Sequence, residues 1–248
     1  MSGLSKVWVA LKKLTLGINL MDSLAVNKNI LKANGKPSAI LFDWDNTLVD
    51  SWLTILDALN TTFKAFHLPP WTMEEAKVRI AKSMRDSFPV LFGDNWRDAG
   101  EIFYERYAAI HVEGLCPLAG AETMLRTLAN ADIYLSVVSN KNGEYVRKEV
   151  KYLGWDRYFG SLVGALDAEL DKPDPKPVDL ALKSSGIKRG PDVWFVGDAN
   201  IDLECAYNSN LTPILIREHA PRSKTMKDYP PAGHFKNCDA LCKFVINL

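Results

Sequence analysis

From residue 38 onward the chain repeats one pattern: a short apolar run that stops abruptly at polar residues, followed by a stretch of helical periodicity. Residues 38–42 are the first such run, ending at Asp43-Trp44-Asp45-Asn46-Thr47, and they predict a short buried strand. Residues 134–138 form a second run, ending at Ser139-Asn140, and residues 161–165 a weaker third. Residues 193–196 end at Gly197-Asp198, and residues 212–216 close the series. Helical patterns at 119–130, 143–153, 177–185 and 201–209 lie between these runs. Alternation of this kind predicts an α/β fold built on a parallel sheet with helical crossovers.

The stretch from residue 52 to residue 115 breaks the rhythm. It carries helical patterns at 53–66, 73–88 and 96–112 and no convincing strand, too much chain for one crossover. An inserted helical subdomain is the simple account. The predicted organisation is an N-terminal extension at 1–37, a core at 38–51 and 116–248, and the insertion at 52–115.

Composition narrows the field. At 248 residues, with 47% hydrophobic and 24% charged residues, the chain has room for one large domain with an appendage. Lys plus Arg and Asp plus Glu both number 30, so no net field points to nucleic acid. No apolar run reaches the length of a membrane span. Cys116, Cys205, Cys238 and Cys242 are scattered as reduced thiols would be, and Cys238 and Cys242, at helical spacing, read as helix packing rather than a zinc pair. Residues 6–18 are basic and amphipathic. They suit a packing or oligomer-contact helix on a cytoplasmic protein, with organelle targeting as the alternative.

The chemistry concentrates at the ends of the predicted strands. A strand that delivers Asp43 and Asp45 to its carboxyl end gathers charge that a hard divalent cation would compensate. A calcium loop fails here, because Leu48 takes the glycine position and Thr54 the final glutamate position. In an open parallel sheet ligands bind beyond the carboxyl strand ends, where Ser139, Asn140, Lys172, Asp198 and Asp202 also fall. Each has a dull reading alone, as a helix cap or a solvated turn. Four clusters at one edge, in this order, do not.

This set resembles the haloacid dehalogenase superfamily, in particular its phosphatase branch with a helical cap inserted after the first motif; the match runs from about residue 38 to residue 216. Asp43, Asp45 and Thr47 correspond to the first motif, Ser139 to the second, Lys172 to the third, and Asp198 with Asp202 to the fourth. Asn46 departs from the glycine of many relatives, and Lys176-Pro177 is an alternative third motif that fits less well. The resemblance implies a Rossmann-like doubly wound sheet with a cap. It also implies Asp43 as nucleophile, Asp45 as general acid and base, and Lys172 as charge stabiliser. Thr47, Ser139 and Asn140 would serve the turn and the phosphoryl group, and Mg²⁺ would be held by Asp43, the Asp45 carbonyl, Asp198 and Asp202. The implied substrate is a small-molecule phosphate ester, with phosphoglycolate phosphatases as the nearest label. The cap cations Arg79, Lys82 and Arg85 would face an acidic leaving group or form a solvated helix face. A second aspartate argues against dehalogenation, and no cap lysine is assigned for phosphonoacetaldehyde chemistry. A phosphomutase on the same core, or a catalytically idle binding protein, is the alternative.

Overall fold

The computed structural model describes residues 31–80, 83–219 and 228–248, so the basic segment at 6–18, most of the N-terminal extension and Lys82 lie outside the described residues. The chain enters β1 (Ala39–Phe42) and β2 (Val49–Asp50), then passes through α1 (Trp52–Ala65), α2 (Met73–Arg79), α3 (Met84–Phe92) and α4 (Trp96–Ile110). It returns in β3 (Cys116–Pro117), then alternates through α5 (Ala121–Ala129), β4 (Tyr134–Asn142), α6 (Gly143–Tyr152), β5 (Ser161–Ala165) and α7 (Lys176–Leu182). The last elements are β6 (Val193–Gly197), α8 (Asn200–Asn208), β7 (Thr212–Ile216), β8 (Gly233–Phe235) and α9 (Cys238–Ile246).

Six strands form one parallel sheet in the order β5-β4-β1-β6-β7-β8. β1 is central because all four of its residues are buried, and strand alternation sends them to two different cores. Ile40 and Phe42 join the cluster under α5, α6 and α9, which includes Met124, Leu125, Val146 and Leu241. Ala39 and Leu41 join the opposite cluster with Val178, Ala181 and Ala206 of α7 and α8. Each large apolar side chain so buried contributes about 1.5–3 kcal/mol, and Leu41→Ala would cost about 2–5 kcal/mol. The chain leaves β1 toward β4 and β5, then reverses to β6. The crevice beyond β1 is therefore where this class of sheet binds ligands.

Between β2 and β3, helices α1, α3 and α4 form their own apolar cluster of Leu59, Phe63, Phe88, Phe92 and Ala99, and Trp71 and Ile80 on either side of α2 pack against it. β2 and β3 pair antiparallel, Val49 with Pro117 and Asp50 with Cys116, so the two chain crossings share one short stem. Strands of two residues carry no periodicity to read, and the stem was not foreseen. The single helix predicted at 73–88 is two. Thr72 and Glu75 cap the start of α2, whereas Ile80 turns extended at its end and Ser83 opens α3. The second predicted strand ended at residue 138, but β4 runs on to Asn142 with its register against β5 shifting between Val138 and Asn142. Ser139 and Asn140 thus lie on an irregular strand end, a place where such shifts re-aim side chains. Cys238 lies buried on α9 with Cys242 one turn on, which is the helix packing their spacing predicted, and all four cysteines are free. Among the described residues no helix is long and apolar enough to cross a membrane.

Candidate active site

The turn after β1 is held from below. Trp44 is fully buried, edge-on to Trp155 at 5.9 Å between ring centroids, and its carbonyl accepts the amide of Leu48 at 2.9 Å. Asn46 has φ +59°, a left-handed conformation that costs most side chains about 1–2 kcal/mol but that Asn and Gly accept. This is the physical reason glycine suits that position. Thr47 lies buried beneath the turn, where its hydroxyl donates to Asp198 Oδ1 at 3.5 Å. Asp43 and Asp45 line the cavity above it.

Lys172 reaches the same point from the loop after β5. Its buried ammonium lies 2.7 Å from Asp43 Oδ1 and 2.7 Å from Asp202 Oδ1. Asn140 holds that loop in place. Its side-chain oxygen accepts the Lys172 amide at 2.9 Å, and its NH₂ donates to the Lys172 carbonyl at 3.2 Å. Its amide therefore positions Lys172 while the residue still lines the cavity. Ser139, nearly buried, accepts the Lys141 amide at 3.3 Å through its hydroxyl and still lines the cavity. Lys176, the alternative third motif, pairs with Glu169 on the surface, away from the site.

Oxygens of Asp43, Asp198 and Asp202 lie within 4.8 Å of one another. Among the described residues one ammonium, that of Lys172, bonds to this cluster, and it touches two of the three carboxylates. Burial pushes the Asp43 carboxyl up to about 6, with Lys172 opposing the rise and Asp202 adding to it. Asp198 is also raised, by burial first and then by Asp202 and Asp43. For Lys172, burial works against the charge, but Asp202 and Asp43 outweigh it and hold the ammonium above its ordinary value. Carboxylates this crowded and this short of positive charge are the donor set that a hard divalent cation takes. The Asp45 carboxylate lies outside this cluster.

Asp45 belongs instead to a second network that the sequence reading missed. Lys141 Nζ is 2.6 Å from Asp45 Oδ1 and 2.7 Å from Glu149 Oε2. Glu149 is fully buried on α6 and also accepts from Trp44 Nε1 at 2.6 Å and from the Tyr107 hydroxyl at 3.0 Å. His111 Nδ1 faces Glu149 Oε1 at 2.7 Å and donates to it. Tyr107 and His111 come from the last helix of the insertion and the residue that follows it. One signal was available: Glu149 shares the apolar stripe of α6 with Val146 and Val150, and a charge on such a stripe needs partners.

One cavity of about 570 Å³ gathers Asp43, Asp45, Ser139, Asn140, Lys172, Asp198 and Asp202 on its floor, with the inserted helices above. Thr47 lies below it. Arg79 reaches the rim, its guanidinium 4.8 Å above the Trp71 ring, whereas Arg85 bonds across to the core, its Nε 2.5 Å from the buried carboxylate of Asp171.

The sequence model of the haloacid dehalogenase-like hydrolases matches residues 40–216. The chain belongs to that family. This haloacid dehalogenase-like hydrolase is 25% identical over 179 residues to the pyrophosphatase PpaX of Halalkalibacterium halodurans, covering 72% of this chain and 83% of that protein. It is 21% identical over 219 residues to a phosphoglycolate phosphatase of Psychrobacter arcticus, covering 84% and 95%. Among solved structures, a haloacid dehalogenase-like family hydrolase from Streptococcus pneumoniae superposes with a TM-score of 0.73 at 21% identity, over 84% of this chain and 98% of that one. A superfamily hydrolase from Ehrlichia chaffeensis gives 0.59 at 26% identity, over 86% and 98%. The family hydrolase thus keeps the fold of these structures across nearly their whole length.

Proposed function

We propose that this hydrolase is a Mg²⁺-dependent phosphatase that cleaves a phosphate monoester through an intermediate on Asp43. The observation that carries the reading is Asp43 itself. It is a nearly buried carboxylate at the end of the central strand, 2.7 Å from Lys172 and clustered with Asp198 and Asp202 on the floor of a cavity. The two curated relatives differ in what their names say they act on, one a pyrophosphatase and one a phosphoglycolate phosphatase. Both act on a phosphoryl group, which supports the reaction class and leaves the rest of the substrate open.

In this reading an Asp43 oxygen bonds to phosphorus as the ester P–O bond breaks, so one difficult displacement becomes two easier ones. Asp45 gives its proton to the departing oxygen and later takes one from the water that releases phosphate. Lys172 and the Ser139 hydroxyl stabilise charge on the phosphoryl oxygens. Asp43, Asp198 and Asp202 would hold the cation, which when bound offsets the repulsion between a carboxylate nucleophile and an anionic substrate. Asn140 positions Lys172, and Thr47 positions Asp198. Residues 52–115 act as the cap that walls the site from water. Release of phosphate from 4-nitrophenyl phosphate that requires Mg²⁺, stops with a chelator and disappears in Asp43→Asn is the expected result. Undiminished turnover by Asp43→Asn would overturn the reading.

A further inference from the structure

We infer that the alcohol half of the substrate is uncharged, largely apolar and much larger than a two-carbon acid. The inference rests on the phosphatase reading, because it assigns the space that the leaving group must fill. The cavity above Asp43 and Asp45 continues upward between the inserted helices, walled by Trp52, Ile55, Leu59, Phe88, Phe103 and Tyr104. At about 570 Å³ it falls within the range of pockets that enclose drug-sized ligands, well beyond what a phosphoryl group with a short acid needs.

Charge points the same way. A leaving group bearing a carboxylate requires a cation free to meet it, since a buried unpaired charge is costly. Among the described residues the cations lining the cavity are Arg79, Lys141 and Lys172. Lys172 is shared by Asp43 and Asp202, and Lys141 by Asp45 and Glu149. Arg79 lies over the Trp71 ring with Glu75 at 3.8 Å. Arg85, which the sequence offered as an acid-binding residue, does not line the cavity and faces Asp171 instead. Lys141 and Lys172 are each shared by two carboxylates and Arg79 sits at the rim beside Glu75, whereas Trp52, Phe88, Phe103 and Tyr104 present ring surface to the cavity. Among the described residues, apolar contact is the interaction that most of this upper wall offers a leaving group.

The test is a series of alkyl phosphates of matched leaving-group acidity, ethyl, butyl and hexyl, with 2-phenylethyl phosphate and 2-phosphoglycolate, each assayed for phosphate release with Mg²⁺. We expect kcat/KM to rise about three- to fourfold per added methylene until the cavity is full. The 2-phenylethyl ester should outrun 2-phosphoglycolate by at least about tenfold. Ile55→Asp, which places a charge on the wall, should cut the hexyl-to-ethyl ratio at least about tenfold; a ratio of rates is blind to how much of the variant is folded. Equal rates along the series, a preference for 2-phosphoglycolate, or an unchanged ratio in Ile55→Asp overturns the apolar assignment and leaves the phosphatase standing. No phosphate from any ester overturns the phosphatase reading, and the assignment falls with it.

Discussion

The ammonium of Lys141 lies 2.6 Å from the carboxylate of Asp45, and the same ammonium lies 2.7 Å from Glu149. The residue proposed to move protons is thus tied, through one cation, to a carboxylate that never meets solvent. Burial disfavours the Lys141 charge, but Asp45, Tyr107 and Glu149 outweigh that penalty and keep it protonated far above its ordinary value. A permanent cation in that place fixes where the Asp45 carboxyl points.

Lys141→Met should therefore damage proton transfer rather than phosphoryl binding. We expect kcat for an alkyl phosphate to fall about a hundredfold, within the range general acid catalysis supplies. Turnover of 4-nitrophenyl phosphate, whose leaving group needs no proton, should fall much less. Equal losses for both esters would show that Lys141 does not act through Asp45.

Glu149 gives a pH signature in stability. Burial would raise its carboxyl, but the hydrogen bond from His111 and the charge of Lys141 outweigh burial and hold it below its ordinary 4.5. A depressed carboxyl stabilises the fold above the unfolded value, and that contribution disappears as pH falls through the folded value. Glu149→Gln should cost about 3 kcal/mol at neutral pH, because Lys141 loses a buried partner. The deficit should shrink below about pH 4.5. Urea unfolding of both proteins at neutral and acid pH measures it.

The insertion and the core meet at Arg85 and Asp171, an ion pair in which the carboxylate is essentially buried. Asp171 precedes Lys172 in sequence, so loosening the pair disturbs the loop that carries Lys172. Arg85→Ala and Asp171→Asn should each lower kcat/KM about tenfold, and the double variant should be no worse than the worse single one. Strictly multiplicative losses in that cycle would deny the coupling.

Crowding of Asp43, Asp198 and Asp202 predicts stabilisation by the cation alone. Mg²⁺ at about a hundred times its dissociation constant should add about 2.7 kcal/mol, read as a rise in Tm without any substrate. Asp198→Asn should abolish most of that rise. A full rise in the variant would move the ion elsewhere.

At position 46 the left-handed backbone sets the tolerance. Asn46→Gly should leave Tm nearly unchanged, whereas Asn46→Val should cost about 1–2 kcal/mol. Thermal unfolding of the two variants separates them.

The sheet was legible because a strand buried on both faces shows as an unbroken apolar run, and β1, β6 and β7 are such runs. The acids at the ends of β1 and β6 were legible because several such runs break off into polar residues at one edge of the sheet. What stayed hidden depends on contacts between distant residues. Trp44 and Glu149 are 105 residues apart, and no local pattern pairs them. Asn140 lines the cavity as its position at a strand end predicted, but its bonds to both backbone groups of Lys172, 32 residues away, have no local signal. Arg79 and Arg85 looked alike on a helix face, yet one lies over an aromatic ring and the other crosses to the core. β8, only three residues long, and the β2–β3 stem fall below the length at which alternation can be read.

Glu149 binds Tyr107 at the far end of α4 and His111 just beyond it. Mechanically, that end of the insertion belongs to the core, whichever domain its sequence is assigned to. Arg85 on α3, bonded to Asp171, ties a second point of the insertion to the loop that carries Lys172.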